Sequence, residues 1–274
     1  MYQRPITIDT PGCVLFLLDQ SSSMADRSRG GVSKALGVAD MLNRLLSGLV
    51  GRCAQDGSVA DLLHVGVLGY STRVQSRLRG VVAPISKLQR ARLGVLLPGP
   101  SDGYGRLVKK RPWPLMIWFD PASGGSTSMC AALREAADAC LRFVRTHPDS
   151  LPPIVINLTD GEATDGDPVR AAHRLTSIAT PDGPPLLFNF HLSVAGGQPL
   201  EYPAVLSGVR DPHAYKLFDM SSVLPDQMRA AAARMGIVLA EGARGFAYNA
   251  RMDSLARFLD IGLPGAMLPA RRLH

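Results

Sequence analysis

Val14-Leu15-Phe16-Leu17-Leu18-Asp19-Gln20-Ser21-Ser22-Ser23 is the stretch on which the fold of this chain turns. Five apolar residues in succession leave no polar face. That pattern suits a central parallel strand covered by helices on both sides, not a strand with one side in water. Asp19 ends the run, and a loop rich in Ser, Gly and charge follows over residues 20–31. Ala35, Ala39, Leu42, Leu45, Leu46 and Leu49 then recur at helical spacing, which predicts a helix over residues 32–50.

The same alternation continues outward. Residues 62–70 (LLHVGVLGY) read as a second strand, and residues 74–82 offer an edge hairpin to it. Gly124-Gly125-Ser126-Thr127 opens a helix whose stripe is Met129, Leu133, Ala136, Cys140, Leu141 and Val144. IVINL, from Ile154 to Leu158, is a third buried strand ending at Thr159-Asp160-Gly161. Pro168 suits the first turn of a helix reaching about residue 179. Residues 186–194 form a further strand, Leu217-Phe218 begins a short one, and Ser222 caps a helix over 224–235. A last helix is expected around residues 252–258. Strands alternating with helices predict an α/β fold: a doubly wound, mainly parallel sheet flanked by helices, with one antiparallel edge strand. We expect a single domain over 1–274, with an inserted segment about 83–118 and a C-terminal helical tail about 237–274. The insert should hold a short helix over 86–96 and then a long loop carrying Trp113, Trp118 and the basic run Lys109-Lys110-Arg111.

Composition narrows the function. Of 274 residues, 46% are hydrophobic and 19% charged, enough apolar material for a core and too little charge for a disordered chain. The net charge of +7 admits nucleic acid, an anionic membrane or an acidic protein as partner. The basic residues are spread out and no recognition motif accompanies them, so nucleic-acid binding is not expected. No apolar stretch approaches the length of a membrane span, and residues 1–12 lack a signal-peptide core. Cys13, Cys53, Cys130 and Cys140 include no C-x-x-C pair, which leaves no zinc framework. A reducing, cytoplasmic setting is the expectation.

In open α/β sheets, ligands bind beyond the carboxyl ends of the strands. Three oxygen-rich loops fall there, offering Asp19, Ser21, Ser23, Thr127 and Asp160. Two carboxylates and three hydroxyls are hard donors, suited to Mg²⁺ or Mn²⁺ and unsuited to zinc or copper. Two carboxylates also leave residual positive charge on the ion and an octahedral position for an outside ligand.

Asp19-x-Ser21-x-Ser23, Gly125-Ser126-Thr127 before a helix, and Leu158-Thr159-Asp160-Gly161 resemble, in order, spacing and context, the metal-ion-dependent adhesion site (MIDAS) of von Willebrand factor A (vWA) domains. The resemblance implies a vWA or Rossmann-like sheet. It also implies that Ser21 and Ser23 bind the ion directly, Thr127 directly or through water, and Asp19 and Asp160 largely through water or as acceptors for the hydroxyls. The segment GFAYNARMDSLARFLDIG, residues 245–262, looks like the end of bacterial cytoplasmic vWA proteins, among them tellurium-resistance-associated ones, encoded beside phosphatases and kinases. The function this implies is a non-enzymatic module that grips a Glu or Asp of a protein partner, such as a phosphatase or kinase encoded nearby. Two other classes stay open. A Mg²⁺-dependent phosphoryl hydrolase would need a nucleophile, and Asp19 is the only candidate carboxylate nucleophile; Ser21 lacks a G-x-S-x-G elbow. A nucleic-acid-binding protein is suggested by charge alone. Glu162, Asp165 and Asp167 either tune the charge of the metal loop or cap the helix that begins at Pro168. The six histidines read as surface or core residues.

Overall fold

The apolar run becomes β1 (Gly12–Asp19), every residue of it buried, in the middle of an eight-stranded sheet. The structure is a computed structural model; it describes residues 1–27, 31–55, 57–78, 80–90, 92–96, 115–192, 198–249 and 252–263. After β1 come a 3-10 turn (Ser22–Ala25), α1 (Lys34–Arg52), β2 (Ala54–Gln55), β3 (Ser58–Val59), β4 (Leu63–Tyr70), β5 (Val74–Ser76) and β6 (Ala83–Pro84). The insert follows as α2 (Ile85–Arg90), β7 (Gly94–Leu96) and β8 (Leu115–Ile117). The second half runs α3 (Met129–Thr146), β9 (Ile154–Thr159), α4 (Pro168–Thr176), β10 (Leu186–His191), β11 (Leu200–Glu201), α5 (Pro212–Met220), α6 (Asp226–Arg234), β12 (Phe246–Tyr248) and α7 (Met252–Gly262).

Strand order in the sheet is β11-β12-β10-β9-β1-β4-β5, with β6 also on β4. The pairings that join β12, β10, β9, β1 and β4 are all parallel. β11, β5 and β6 run antiparallel, so both edges carry antiparallel strands where one was expected. β1 shows why its apolar run had to be continuous. Val14, Phe16 and Leu18 join Leu42, Leu46 and Leu49 of α1 and Phe258 of α7 on one face. Leu15 and Leu17 join Leu133, Ala136 and Cys140 of α3 and Leu175 of α4 on the other. Each fully buried side chain of this size contributes roughly 1.5–3 kcal/mol, so a polar residue anywhere in the run would be costly.

Several expectations need correction. Leu217 and Phe218 lie in α5, not in a strand: the Asp211 carboxylate accepts from His213 N and Ala214 N, Pro212 follows, and the two apolar residues bury one helical face. Ser222 does not cap α6; its hydroxyl accepts from Leu187 N at 3.0 Å and tethers β10. The tail expected to be helical also supplies β12, which pairs with β10. In the insert, β7 pairs with β8 and Trp118 is a packing residue, 2% exposed, its Nε1 donating to Leu88 O at 2.8 Å. Trp113 and the Lys109–Arg111 run lie outside the described residues. The four cysteines are buried and unpaired. No helix among the described residues is long and apolar enough to cross a membrane.

Candidate metal centre

β1 leads through α1 to β4 on one side, whereas β9 leads through α4 to β10 on the other. The two adjacent strands therefore send their chains in opposite directions, and a crevice opens at their carboxyl ends. Asp19 and Asp160 stand there, one and two residues past the paired Leu18 and Leu158. Asp19 is 2% exposed, with Oδ1 accepting from Ser21 N at 2.8 Å and Oδ2 from Thr159 Oγ1 at 2.6 Å. Burial pushes its pKa up; hydrogen bonds from Ser21 and Thr159 pull it back, and the Asp160 charge adds to the rise. The Ser21 and Ser23 hydroxyls lie 3.1 Å apart, and Ser23 Oγ donates to Asp160 Oδ1 at 2.7 Å. Four of the five residues singled out in the sequence thus meet in one hydrogen-bonded cluster.

Thr127 is brought beside them through backbone. Gly124 N donates to Gln20 O at 2.8 Å, and Ser22 N and Oγ both donate to Gly125 O. Gly125 has φ +82, and a Cβ on it would meet Thr72 Oγ1 at 2.3 Å, so only glycine fits this approach. On the other side, Thr127 N donates to Thr164 Oγ1 at 2.9 Å and Thr127 O accepts from Thr164 N at 3.0 Å. Thr127 is 7% exposed between the first and third loops.

The acidic residues of the third loop divide between two helices. Asp167 caps α4, accepting from Val169 N at 3.1 Å. Asp165 reaches α3 instead and accepts from Cys130 N and Ala131 N at 3.0 and 2.8 Å, a cap that the local Ser128 does not provide. Glu162 points outward, 3.9 Å from His213 Nε2. His191, at the end of β10, is buried 3.2 Å from Asp211 Oδ2 and stacked on Tyr248, and burial lowers its pKa.

Lys34 was not among the residues expected here. Its ammonium lies 2.5 Å from Asp160 Oδ2 and 3.4 Å from the Ser23 carbonyl oxygen. The only hint in the sequence is a lysine in the first turn of a helix, where positive charge is unfavourable.

The donor set fits a hard divalent cation. Its side-chain atoms are oxygens, and among the described residues no group of three or more His, Cys, Asp or Glu could hold a metal. With both oxygens engaged and little exposure, Asp19 does not present itself as a nucleophile.

No family model matches the sequence, and no curated protein matches it. Among solved structures, it is similar to proximal thread matrix protein 1 from the mussel byssus, at 14% identity and TM-score 0.49, covering 94% of this chain and 49% of that one. It is similar to the manganese-loaded TRAP protein of Plasmodium vivax at 16% identity and TM-score 0.47, covering 93% and 74%. It is similar to a von Willebrand factor type A protein from Catenulispora acidiphila at 13% identity and TM-score 0.42, covering 67% and 34%. The chain spans about half the length of the mussel protein. At such identities the fold rests on the strand order and register of the chain itself: a doubly wound α/β protein with a carboxylate-and-hydroxyl cluster at its switch point.

Proposed function

We propose that this protein is a metal-dependent protein-interaction module. Asp19, Ser21, Ser23, Thr127 and Asp160 would hold Mg²⁺ or Mn²⁺. Once bound, such an ion supplies an electrophilic position that takes a Glu or Asp side chain of a partner. The observation that carries the reading is the convergence of hard oxygens from loops far apart in sequence, with hydrogen bonds spanning 137 and 140 residues. Asp19 orients the Ser21 backbone and the Thr159 hydroxyl, and Ser23 keeps Asp160 turned toward the loop after β1. The buried carboxylates are mutually repelling and are better tolerated beside a cation. The likeness of residues 245–262 to proteins encoded beside phosphatases and kinases makes such an enzyme the first partner to try. Four unpaired thiols favour a reducing, cytoplasmic setting.

The test is capture of partners from native lysate by tagged protein in Mg²⁺ against EDTA, with a phosphatase assay of the purified protein alongside. A partner retained in Mg²⁺ and released by EDTA supports the reading. Partners indifferent to EDTA would sink it, and Mg²⁺-dependent turnover of a phosphate ester would move the protein to the hydrolase class.

A further inference from the structure

Lys34 occupies the first position of α1, where its charge opposes the helix macrodipole, and only 8% of its side chain is exposed. A lysine serving solubility would extend into water. This one folds back over the loop that follows β1. Asp160 is 1% exposed at its side chain, so the 2.5 Å contact is a buried ion pair, with Asp26 Oδ2 a further 3.8 Å away from the ammonium. The pair is built in by its backbone. Lys34 N donates to Asp26 O at 3.0 Å, and Ser33 caps the helix by accepting from Leu36 N at 3.2 Å. The start of α1 is therefore fastened to the same loop that carries Ser21 and Ser23.

Asp160 is divided between two donors. The Ser23 hydroxyl takes Oδ1 and the ammonium takes Oδ2. A divalent ion at this site would draw on the same carboxylate that Lys34 already neutralises. Two costs of placing the lysine here, burial and the helix end, are offset chiefly by that carboxylate, the shortest of its contacts.

We propose that Lys34 is a tethered cation of the metal centre: its ammonium competes with a divalent ion for Asp160 and so weakens metal binding. A bound ion then keeps more of its own positive charge for the incoming carboxylate. This inference rests on the metal-binding reading above and assigns a tuning role to a residue outside the donor set.

The experiment titrates Mn²⁺ and Mg²⁺ by calorimetry into EDTA-stripped parent protein and into Lys34→Met. Melting temperatures are measured with and without metal. Met keeps the apolar stem and removes the charge. Loss of one unit of positive charge beside a divalent ion should tighten binding at least about tenfold. The variant should melt lower than the parent without metal, because Asp160 is left uncompensated, and should gain more on adding metal. Lys34→Gln, whose amide can still donate to Asp160, is the neutral variant to use should Lys34→Met fail to fold. Binding by a neutral variant where the parent shows none supports the proposal in its strongest form. If the parent binds metal and the folded neutral variant binds equally or more weakly, Lys34 is a structural ion pair and the proposal is overturned while the metal site stands. If neither protein binds Mn²⁺ or Mg²⁺ at millimolar concentration, both the proposal and the metal-site reading fail.

Discussion

Asp19→Asn is the substitution that isolates the electrostatic part of the site. The two side chains have nearly the same shape, so no cavity forms at a position that is 2% exposed. The carboxylate now accepts from Ser21 N and from Thr159 Oγ1; an amide can accept one of them and sets its NH₂ against the other donor. A buried donor left without an acceptor costs about 1–3 kcal/mol. Part of this is recovered, because the variant no longer buries a charge near Asp160, so the metal-free protein should lose no more than about 2 kcal/mol. Metal binding suffers more. A unit charge about 4 Å from a divalent ion at an effective dielectric near 20 contributes about 8 kcal/mol, and even a quarter of that lowers affinity about thirtyfold. At a metal concentration one hundred times the parent Kd, binding stabilises the parent by about 2.7 kcal/mol, or roughly 5–10 °C in melting temperature. The same concentration would then be only about threefold above the variant's Kd, leaving about 0.9 kcal/mol, or roughly 2–3 °C. Differential scanning fluorimetry across a Mg²⁺ and Mn²⁺ series, after EDTA treatment, reads both effects. A variant whose melting temperature rises with metal as steeply as the parent's would refute the placement of Asp19 in the site.

Three further outcomes separate the site from its scaffold. Asn43→Ala removes the buried amide that donates to Phe119 O at 3.0 Å and accepts from Trp118 N at 2.8 Å; it should cost about 2–4 kcal/mol by chemical unfolding and leave the metal Kd unchanged. Asp165→Ala strips the cap from α3 and should cost about 1–2 kcal/mol with less than a threefold change in Kd; a large loss of affinity would show that Asp165 acts on the ion instead. Burial, and then the neighbouring His147, hold the pKa of His64 below its usual value of about 6.5, with Asp61 pulling the other way. The unfolded chain therefore takes up this proton first as the medium acidifies, and stability present above about pH 6.5 is lost below it. His64→Phe, which keeps the edge contact with Phe143, should flatten the fall in melting temperature between pH 7 and 5, and an unaltered slope would count against the assignment.

The sheet was legible because its evidence is local. A strand apolar on both faces needs helices on both sides; β1 carries that run unbroken, and β9 and β10 are each interrupted by one buried asparagine, Asn157 and Asn189, which hydrogen-bond to one another at 3.0 Å. The loops at the ends of β1 and β9 and before α3 could be set in order for the same reason. Leu217 and Phe218 misled because two apolar residues carry no period of their own; the Asp211-Pro212 start that makes them helical lies at the other end of the element. β12 is three residues long, too short for alternation to show, and exists as a strand through its pairing with β10.

The sequence by itself determined the doubly wound sheet, the two-faced core and which side chains stand at the carboxyl ends of its central strands, since each follows from hydropathy period and strand-end position. Only the tertiary structure decided that Lys34 pairs with Asp160 across 126 residues and that Asp165 caps α3, over 30 residues upstream. A charge in a helix's first turn or in a loop reads as solvated when its neighbours along the chain are all that is known. Its partner, and with it the electrostatics of the site, is chosen when the sheet brings β1 and β9 side by side.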